Sequence, residues 1–170
     1  MTLGTNTNSD MSIFRSVIDG LCDMDIEVLI TIGHGQDPAS IGSLPANAHV
    51  ENYVPQSLLL PHCSAVICHG GAGTTLNSLA VGLPLLMLPQ GADQYVISDL
   101  VVAAGAGLLL TPANVRPSTV RADVVTLLQL DEPVHRASAR RVQAEIAAMP
   151  GPEEAVQLIE RVCAETGCSS

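Results

Sequence analysis

The chain contains no lysine and no tryptophan, and its only aromatic side chains are Phe14, Tyr53 and Tyr95. All seven basic residues are arginines and the net charge is −10. Such a surface repels nucleic acids and anionic membranes, which excludes both as partners. A small phosphate ligand is compatible with this charge if backbone N–H groups, not lysines, bind it.

Several further features are missing. The five cysteines form no Cys-x-x-Cys pair, so neither a zinc ribbon nor a disulfide framework is expected. We expect reduced, mostly buried thiols in a cytoplasmic protein. No apolar run reaches the ~18 residues of a membrane span, and no signal peptide is recognisable. The scattered histidines predict no metal site.

The apolar runs alternate with helical patterns over all 170 residues, which predicts a single α/β domain. Strands are predicted at residues 26–32, 49–54, 64–68, 84–88 and 107–110, after a first strand that ends within residues 1–5. Helices are predicted at residues 11–22, 55–61, 71–81, 93–104, 117–129, 132–149 and 152–165. These elements indicate a Rossmann-like, doubly wound parallel sheet of about six strands with C-terminal helices. Because so little precedes the first turn, we expect a fragment or one subunit of a split protein.

The motif His-Gly-Gly-Ala-Gly-Thr-Thr at residues 69–75 follows a buried strand and opens a helix. Free N–H groups and the helix dipole make such a helix start favourable for phosphate. Without a lysine it is not a Walker A loop, and it is not Gly-x-Gly-x-x-Gly. Taken alone, the motif is equally compatible with a plain glycine-rich turn.

Four ordered segments resemble one family. Residues 69–75 are similar to the donor-site signature of GT-B glycosyltransferases of the UDP-glucuronosyl and antibiotic type. Residues 52–56 (Asn-Tyr-Val-Pro-Gln) resemble the family's Trp-x-Pro-Gln segment, and residues 89–95 resemble its Pro-x-x-x-Asp-Gln segment. Residues 103–109 resemble the glycine-containing start of the strand that follows the Asp-Gln segment in the family. The resemblance implies one half of a GT-B fold, namely the domain that binds the nucleotide sugar, with the N-terminal acceptor domain absent from residues 1–170.

The resemblance also implies the roles of particular residues. The residues expected to bind the nucleotide and its diphosphate are Thr5, Tyr53, Val54, Gln56, His69, Gly71, Gly73 and Thr74. Asp93 and Gln94 are expected to bind the sugar hydroxyls. His69 would assist the departing diphosphate, and no other catalytic residue is expected in this chain. No cofactor and no divalent metal are expected, and the sequence contains no Asp-x-Asp.

Two departures from the family pattern bear on the donor. Many relatives carry a ribose-binding Glu eight residues after the motif histidine, where this chain has Asn77. A weaker ribose contact favours dTDP-sugars over UDP-sugars. Tyr53 replaces the usual Trp, which leaves the base preference open. His34 lies in a loop after a strand, near the expected donor site; a ligand contact is one interpretation, and a solvent-facing side chain is the favoured one.

The predicted function is donor binding within an inverting, metal-independent glycosyltransferase that transfers a deoxysugar to a hydroxylated natural product. Because the family's catalytic base lies in the N-terminal domain, this chain alone is expected to bind donor without transferring sugar. The expected partners are the nucleotide sugar, the acceptor domain or subunit, a small-molecule acceptor and a possible second copy of the chain. The alternatives are a stand-alone donor subunit of a split enzyme and a non-catalytic auxiliary protein that binds nucleotide sugars. A sugar-nucleotide epimerase would need catalytic carboxylates that the sequence does not show.

Overall fold

The computed structural model describes residues 1–4, 11–129, 131 and 133–166. Its strands are short and almost wholly apolar, as is typical of a sheet that is covered on both faces. They are β1 (Val28–Thr31), β2 (Ala48–Glu51), β3 (Val66–Cys68), β4 (Leu85–Met87) and β5 (Gly107–Leu109). β1 pairs with β2, and β4 pairs with both β3 and β5, always in parallel.

Residues 1–3, called here the central segment, join the two groups of strands. Thr2 forms parallel bridges to Thr31 at the end of β1 and to Cys68 at the end of β3. The strand order is therefore β2, β1, central segment, β3, β4, β5. The chain first moves from the centre to one edge and then returns to fill the other side, so the predicted doubly wound topology is confirmed.

Seven α-helices are described, and the crossovers between successive parallel strands contain the first four of them. They are α1 (Met11–Leu21), α2 (Gln56–Leu59), α3 (Ala72–Ala80), α4 (Gln94–Ala103), α5 (Pro117–Leu127), α6 (Val134–Ala147) and α7 (Pro152–Thr166). α1 packs against α5 on one face of the sheet, and α3 packs against α6 on the other. None of the described helices is both long enough and apolar enough to cross a membrane.

Two buried clusters lie on opposite faces of the sheet, and β4 shows how one strand serves both. Leu86 and Leu88 pack with α1 and α5, whereas Leu85 and Met87 pack with α3, α4 and α6. This alternation follows from the two-residue repeat of a strand. Leu3 of the central segment is fully buried and faces the α1–α5 side.

Several details differ from the sequence prediction. Five strands are present among the described residues, and the predicted first strand is reduced to a bridge at Thr2. Strand β2 ends at Glu51, three residues before the predicted end. The predicted helix at residues 55–61 is a single α-turn followed by a 3₁₀ turn (Leu60–His62).

For the four cysteines that the structure describes, the expectation that they are mostly buried is wrong, and Cys168 lies outside the described residues. Cys68 is buried and Cys63 is half-buried, but Cys22 and Cys163 are exposed. Cys22 follows the last residue of α1 in a turn, and Cys163 lies on α7, where every side chain described is exposed. Neither position faces the sheet, so hydrophobicity alone does not bury these thiols.

Candidate functional site

The site lies where the winding of the sheet reverses, between the central segment and β3. Gly4 follows the central segment, and His69 follows β3. Ligands of open α/β sheets bind at this switch point, outside the carboxyl ends of the strands. A cleft of about 1320 Å³ opens here, and Gly4, His69, Gly71 and Thr74 line it.

The imidazole of His69 is held between two glycines. A Cβ atom on Gly71 would lie 2.5 Å from His69 Nε2, and one on Gly4 would lie 2.7 Å from His69 Cε1. Gly4 also has a φ of +80°, which favours glycine. The ring therefore occupies space that any other residue at these two positions would fill.

Burial determines the charge of His69. Its Nδ1 is buried without a hydrogen-bond partner among the described residues. Burial lowers the pKa of His69, and the nearby carboxylate of Asp93 only partly opposes this effect. The ring is therefore neutral at pH 7, with one nitrogen available as a donor and the other as an acceptor.

The start of α3 is uncapped. Gly71 is the N-cap residue and no side chain caps the helix, whose first backbone bond runs from Thr75 N to Gly71 O. The N–H groups of the first helical turn are therefore available to an anion. A Cβ atom on Gly73 would meet no group of the described residues within 4 Å beyond its own helix, so the missing side chain leaves open space beside Thr74.

A series of side-chain hydrogen bonds connects α2 to α3. Gln56 Nε2 donates to Thr74 Oγ1 at 3.0 Å, and Asn77 Nδ2 donates to Gln56 Oε1 at 3.2 Å. Gln56 thereby fixes the hydroxyl of Thr74 at the mouth of the cleft. The sequence motif did not predict this link, because the partners lie on different helices.

Tyr53 and Val54 line the cleft beyond the end of β2. Tyr53 is 58% exposed, and its ring stacks on His34 with centroids 4.9 Å apart and an interplanar angle of 24°. His34 itself is exposed, as expected. The contact with Tyr53 has no signal in the sequence, because the two rings belong to separate loops.

The two residues expected at the sugar are placed differently. Gln94 lines the cleft, and its Oε1 accepts a hydrogen bond from Gln90 N at 2.8 Å, which leaves the amide NH₂ for a ligand. Asp93 is exposed at the start of α4, after Ala92, whose φ is +55°. Asp93 is near enough for its charge to oppose part of the lowering that burial causes in the pKa of His69.

Two other groups bear on the chemistry of the site. Burial raises the pKa of Cys68, next to His69, to about 11, so this thiol is not a nucleophile at neutral pH. Within the described ranges, no three His, Cys, Asp or Glu side chains are grouped so as to hold a metal ion. Thr5, the remaining residue expected at the phosphate, lies outside the described residues.

The chain matches the family model of the erythromycin biosynthesis protein CIII-like C-terminal domain over residues 15–162. It is 37% identical over 151 residues to the tylactone mycaminosyltransferase of Streptomyces fradiae, covering 89% of this chain and 33% of that protein. The chain thus spans about a third of the length of this relative.

Solved structures agree with this assignment. The calicheamicin glycosyltransferase CalG4 superposes with a TM-score of 0.87 at 28% identity, covering 97% of this chain and 43% of that one. The glycosyltransferase VinC, solved in complex with dTDP, gives a TM-score of 0.83 at 29% identity, with 96% and 41% coverage. This chain therefore belongs to the family of C-terminal domains of antibiotic glycosyltransferases with the GT-B fold.

Proposed function

We propose that the cleft binds a nucleoside diphosphate sugar, and that the chain is the donor half of an inverting glycosyltransferase that acts on a hydroxylated natural product. The observation that carries this proposal is the uncapped start of α3 beside the neutral, half-buried imidazole of His69 at the switch point. This combination offers an anion several hydrogen-bond donors, none of which is a lysine or arginine side chain.

The diphosphate lies against the first turn of α3. Backbone N–H groups and the helix dipole supply the positive potential there, and the open space at Gly73 allows close approach of the phosphate oxygens. The Thr74 hydroxyl is already oriented by Gln56 and donates to the same group. Because backbone N–H groups and a hydroxyl bind the diphosphate, the site needs no lysine, and the chain contains none.

The nucleoside lies over Tyr53 with its base edge near the backbone of Val54. Stacking of a base on an aromatic ring contributes ~1–3 kcal/mol. By the resemblance to the family, Asn77 would face the ribose; it is bonded to Gln56 and offers no carboxylate to the ribose hydroxyls. We therefore propose dTDP over UDP as the nucleotide, which is also the ligand of the related VinC structure.

The sugar lies between the free amide NH₂ of Gln94 and the carboxylate of Asp93. In the reaction, an acceptor oxygen attacks the anomeric carbon on the face opposite the diphosphate, and the bond from that carbon to the diphosphate oxygen breaks. His69 and the α3 start stabilise the charge that develops on the departing diphosphate. We propose that the acceptor proton goes to a base outside residues 1–170, and that this chain alone binds donor without transferring sugar. No metal or cofactor is assigned a role.

Calorimetric titration with dTDP tests the diphosphate site. We expect saturable binding by the chain and about tenfold or greater weakening in Thr74→Ala, since a hydrogen bond to a charged group contributes ~1.5–3 kcal/mol. Thr126→Ala on α5 is the matched control, because Thr126 donates only to Ala122 O within its own helix. Absence of dTDP binding by the folded chain, or equal weakening in both variants, would contradict the proposal.

The nucleotide preference has its own test. The chain is expected to bind dTDP more tightly than UDP, and Asn77→Glu is expected to improve UDP binding by supplying a carboxylate for the ribose hydroxyls. Asn114→Glu, on an exposed 3₁₀ turn (Pro112–Asn114), adds the same charge elsewhere. If the chain binds UDP at least as tightly as dTDP, the deoxyribose preference is wrong.

A further inference from the structure

Three polar side chains are buried among the described residues, and all three carry hydroxyl groups: Thr75, Ser78 and Ser98. They lie on α3 and α4, the two helices whose starts form the proposed donor site. Thr75 lies beside the thiol of Cys68. The two serines are fully buried in helix interiors, where an alanine would fit the same space and favour the helix more. Stability alone therefore does not account for a serine at either position.

Each of the two serines donates a hydrogen bond to the residue one helical turn earlier. Ser78 Oγ donates to Thr74 O at 2.8 Å, and Ser98 Oγ donates to Gln94 O at 2.7 Å. The acceptors thus belong to the residues proposed to bind the diphosphate and the sugar. A hydroxyl that bonds the carbonyl four residues earlier slightly destabilises a helix and often bends it. The serines therefore act on the backbone of the two ligand-binding residues.

Thr74 is held at two points. Its side-chain oxygen accepts from Gln56 Nε2 at 3.0 Å, and its backbone carbonyl accepts from Ser78. The hydroxyl hydrogen of Thr74 remains for the diphosphate, and its direction depends on both bonds. Because the bond from Ser78 acts on the backbone, its loss would leave the hydroxyl attached to Gln56 but displaced.

Gln94 is held in the same manner and also lies against the diphosphate loop. Its Oε1 accepts from Gln90 N at 2.8 Å, and its backbone carbonyl accepts from Ser98. A Cβ atom on Gly70, the residue after His69, would lie 2.8 Å from Ser98 Oγ and 3.0 Å from Gln94 O. The bare Cα of Gly70 therefore allows Ser98 and Gln94 to approach the loop that carries His69.

Such double fixation matters because binding groups need accurate placement. A displacement of about 1 Å is enough to lose much of the contribution of a binding group. Departures from local preference, such as a serine in a buried helix interior, are expected at functional sites. The two serines fit this description, since each reduces helix stability and holds the backbone of one ligand-binding residue.

We propose that Ser78 and Ser98 are positioning residues of the donor site: Ser78 aligns Thr74 for the diphosphate, and Ser98 aligns Gln94 for the sugar. Both serines are fully buried, so each acts through the carbonyl of the residue that it holds. The assignment rests on the proposed function, which gives Thr74 and Gln94 their ligands. It implies that the recognition of diphosphate and the recognition of sugar can be weakened separately, from inside the protein.

NMR spectroscopy of the ligand-free chain tests the alignment without any nucleotide. The side-chain NH₂ groups of Gln56 and Gln94 give signals whose order parameters report the mobility of the two side chains. Ser78→Ala is expected to increase the mobility of Gln56, whose amide holds the threonine, and to leave Gln94 unchanged. Ser98→Ala is expected to increase the mobility of Gln94 and to leave Gln56 unchanged.

Thr126→Ala is the matched control for both variants. Thr126 Oγ1 donates to Ala122 O at 3.0 Å, which is the same kind of bond on α5. Its removal is expected to change neither glutamine signal and neither binding constant. The Tm of Ser78→Ala and of Ser98→Ala is expected to equal or exceed that of the wild type, because alanine favours a helix.

Calorimetry with dTDP and with dTDP-glucose tests the consequence for binding. Gln94→Ala sets the scale, because it removes the amide that is proposed to bind the sugar. Ser98→Ala is expected to shift the ratio of the two Kd values about threefold in the same direction as Gln94→Ala, with the Kd for dTDP unchanged. Ser78→Ala is expected to raise the Kd for dTDP about threefold or more, with the ratio unchanged.

Equal effects of the two serine variants on both glutamine signals and on both ligands would overturn the proposal, because a general loosening of the helices would explain them. Unchanged mobility and unchanged binding in both variants would also overturn it. So would weaker binding accompanied by a fall in Tm of about 4 °C or more, which would indicate a purely structural role. Failure of the wild type to bind dTDP counts against the proposed function, whereas the crossed pattern of mobility would still establish the alignment.

Discussion

His69 is positioned by packing rather than by hydrogen bonds. Its ring lies against the bare Cα atoms of Gly4 and Gly71, and its Nδ1 has no partner among the described residues. Gly71 and Gly73 of the motif therefore have different reasons to be glycine. Gly71 makes room for a side chain of the protein, whereas Gly73 faces open space that the protein does not use.

This difference predicts opposite behaviour for two alanine substitutions. Gly71→Ala places a methyl 2.5 Å from His69 Nε2, so we expect lower stability, by ~1–3 kcal/mol, together with weaker dTDP binding. Gly73→Ala is expected to leave stability unchanged or to raise it by up to ~1 kcal/mol, since Ala favours a helix. It should nevertheless weaken dTDP binding, because the methyl occupies the space proposed for the diphosphate. Thermal unfolding and calorimetry measure both effects, and unimpaired binding by Gly73→Ala would place the diphosphate elsewhere.

The half-buried imidazole of His69 also predicts a pH dependence of stability. The folded state disfavours protonated His69, because burial lowers its pKa. As the pH falls through the ordinary histidine pKa of about 6.5, the unfolded chain takes up a proton that the folded chain resists, and stability is lost until the lowered folded pKa is reached. We expect the free energy of unfolding in urea to fall more between about pH 7.5 and pH 5.5 in the wild type than in His69→Gln.

His49→Gln provides the comparison for that measurement. His49 is exposed and lies 2.9 Å from the Glu27 carboxylate. If His69→Gln and the wild type lose stability in parallel as the pH falls, the folded state does not lower the pKa of His69.

At the scale of elements, two loops after neighbouring strands build the wall proposed for the base. Asn52, just after β2, donates to Gln36 O at 2.6 Å, and Gly33 N donates to Asn52 O at 2.9 Å. These bonds bring His34 onto Tyr53. Tyr53 lines the cleft whereas His34 does not, so His34 supports the ring from the side away from the cleft.

His34→Ala is therefore expected to weaken dTDP binding several-fold while leaving the binding of pyrophosphate, which has no base, unchanged. His34→Phe preserves a flat ring and should restore affinity for dTDP. With no tryptophan present, tyrosine fluorescence reports on Tyr53 and Tyr95 only, which simplifies the titration. Equal losses for dTDP and pyrophosphate would instead indicate a general disturbance of the loops.

The elements also show which parts of the molecule the sequence could predict. The runs that became β3 and β4 are buried on both faces, so continuous hydrophobicity was sufficient to place them. The strand ends and the division of residues 55–61 into two turns depend on hydrogen bonds that hydrophobicity does not encode. The motif located His69 and Thr74, but the Gln56 link and the His34 stack are tertiary contacts between separate loops and helices. The Gln56 hydrogen bonds and the His34–Tyr53 stack depend on the three-dimensional structure, and no sequence pattern indicates them.

At the scale of the whole molecule, the charge distribution is unusual for a protein proposed to bind a diphosphate. The net charge is −10, and three ion pairs with arginine are described, all exposed: Arg15–Asp19, Arg121–Asp23 and Arg141–Glu145. Exposed pairs of this kind contribute little to stability. The long-range field therefore repels an anionic ligand, and short-range donors in the cleft must overcome that repulsion.

This balance predicts an unusual salt dependence. Sites built from basic side chains lose affinity for phosphates as salt screens the attraction, whereas here salt chiefly screens a repulsion. We expect the Kd for dTDP to stay constant or to decrease between about 20 mM and about 200 mM sodium chloride, measured by calorimetry. A tenfold loss of affinity would mean that arginines bind the diphosphate. Arg136 and Arg140, which line the cleft, would then be the candidates. In that case Arg136→Gln with Arg140→Gln should abolish the salt dependence, and the backbone at the start of α3 would no longer account for binding.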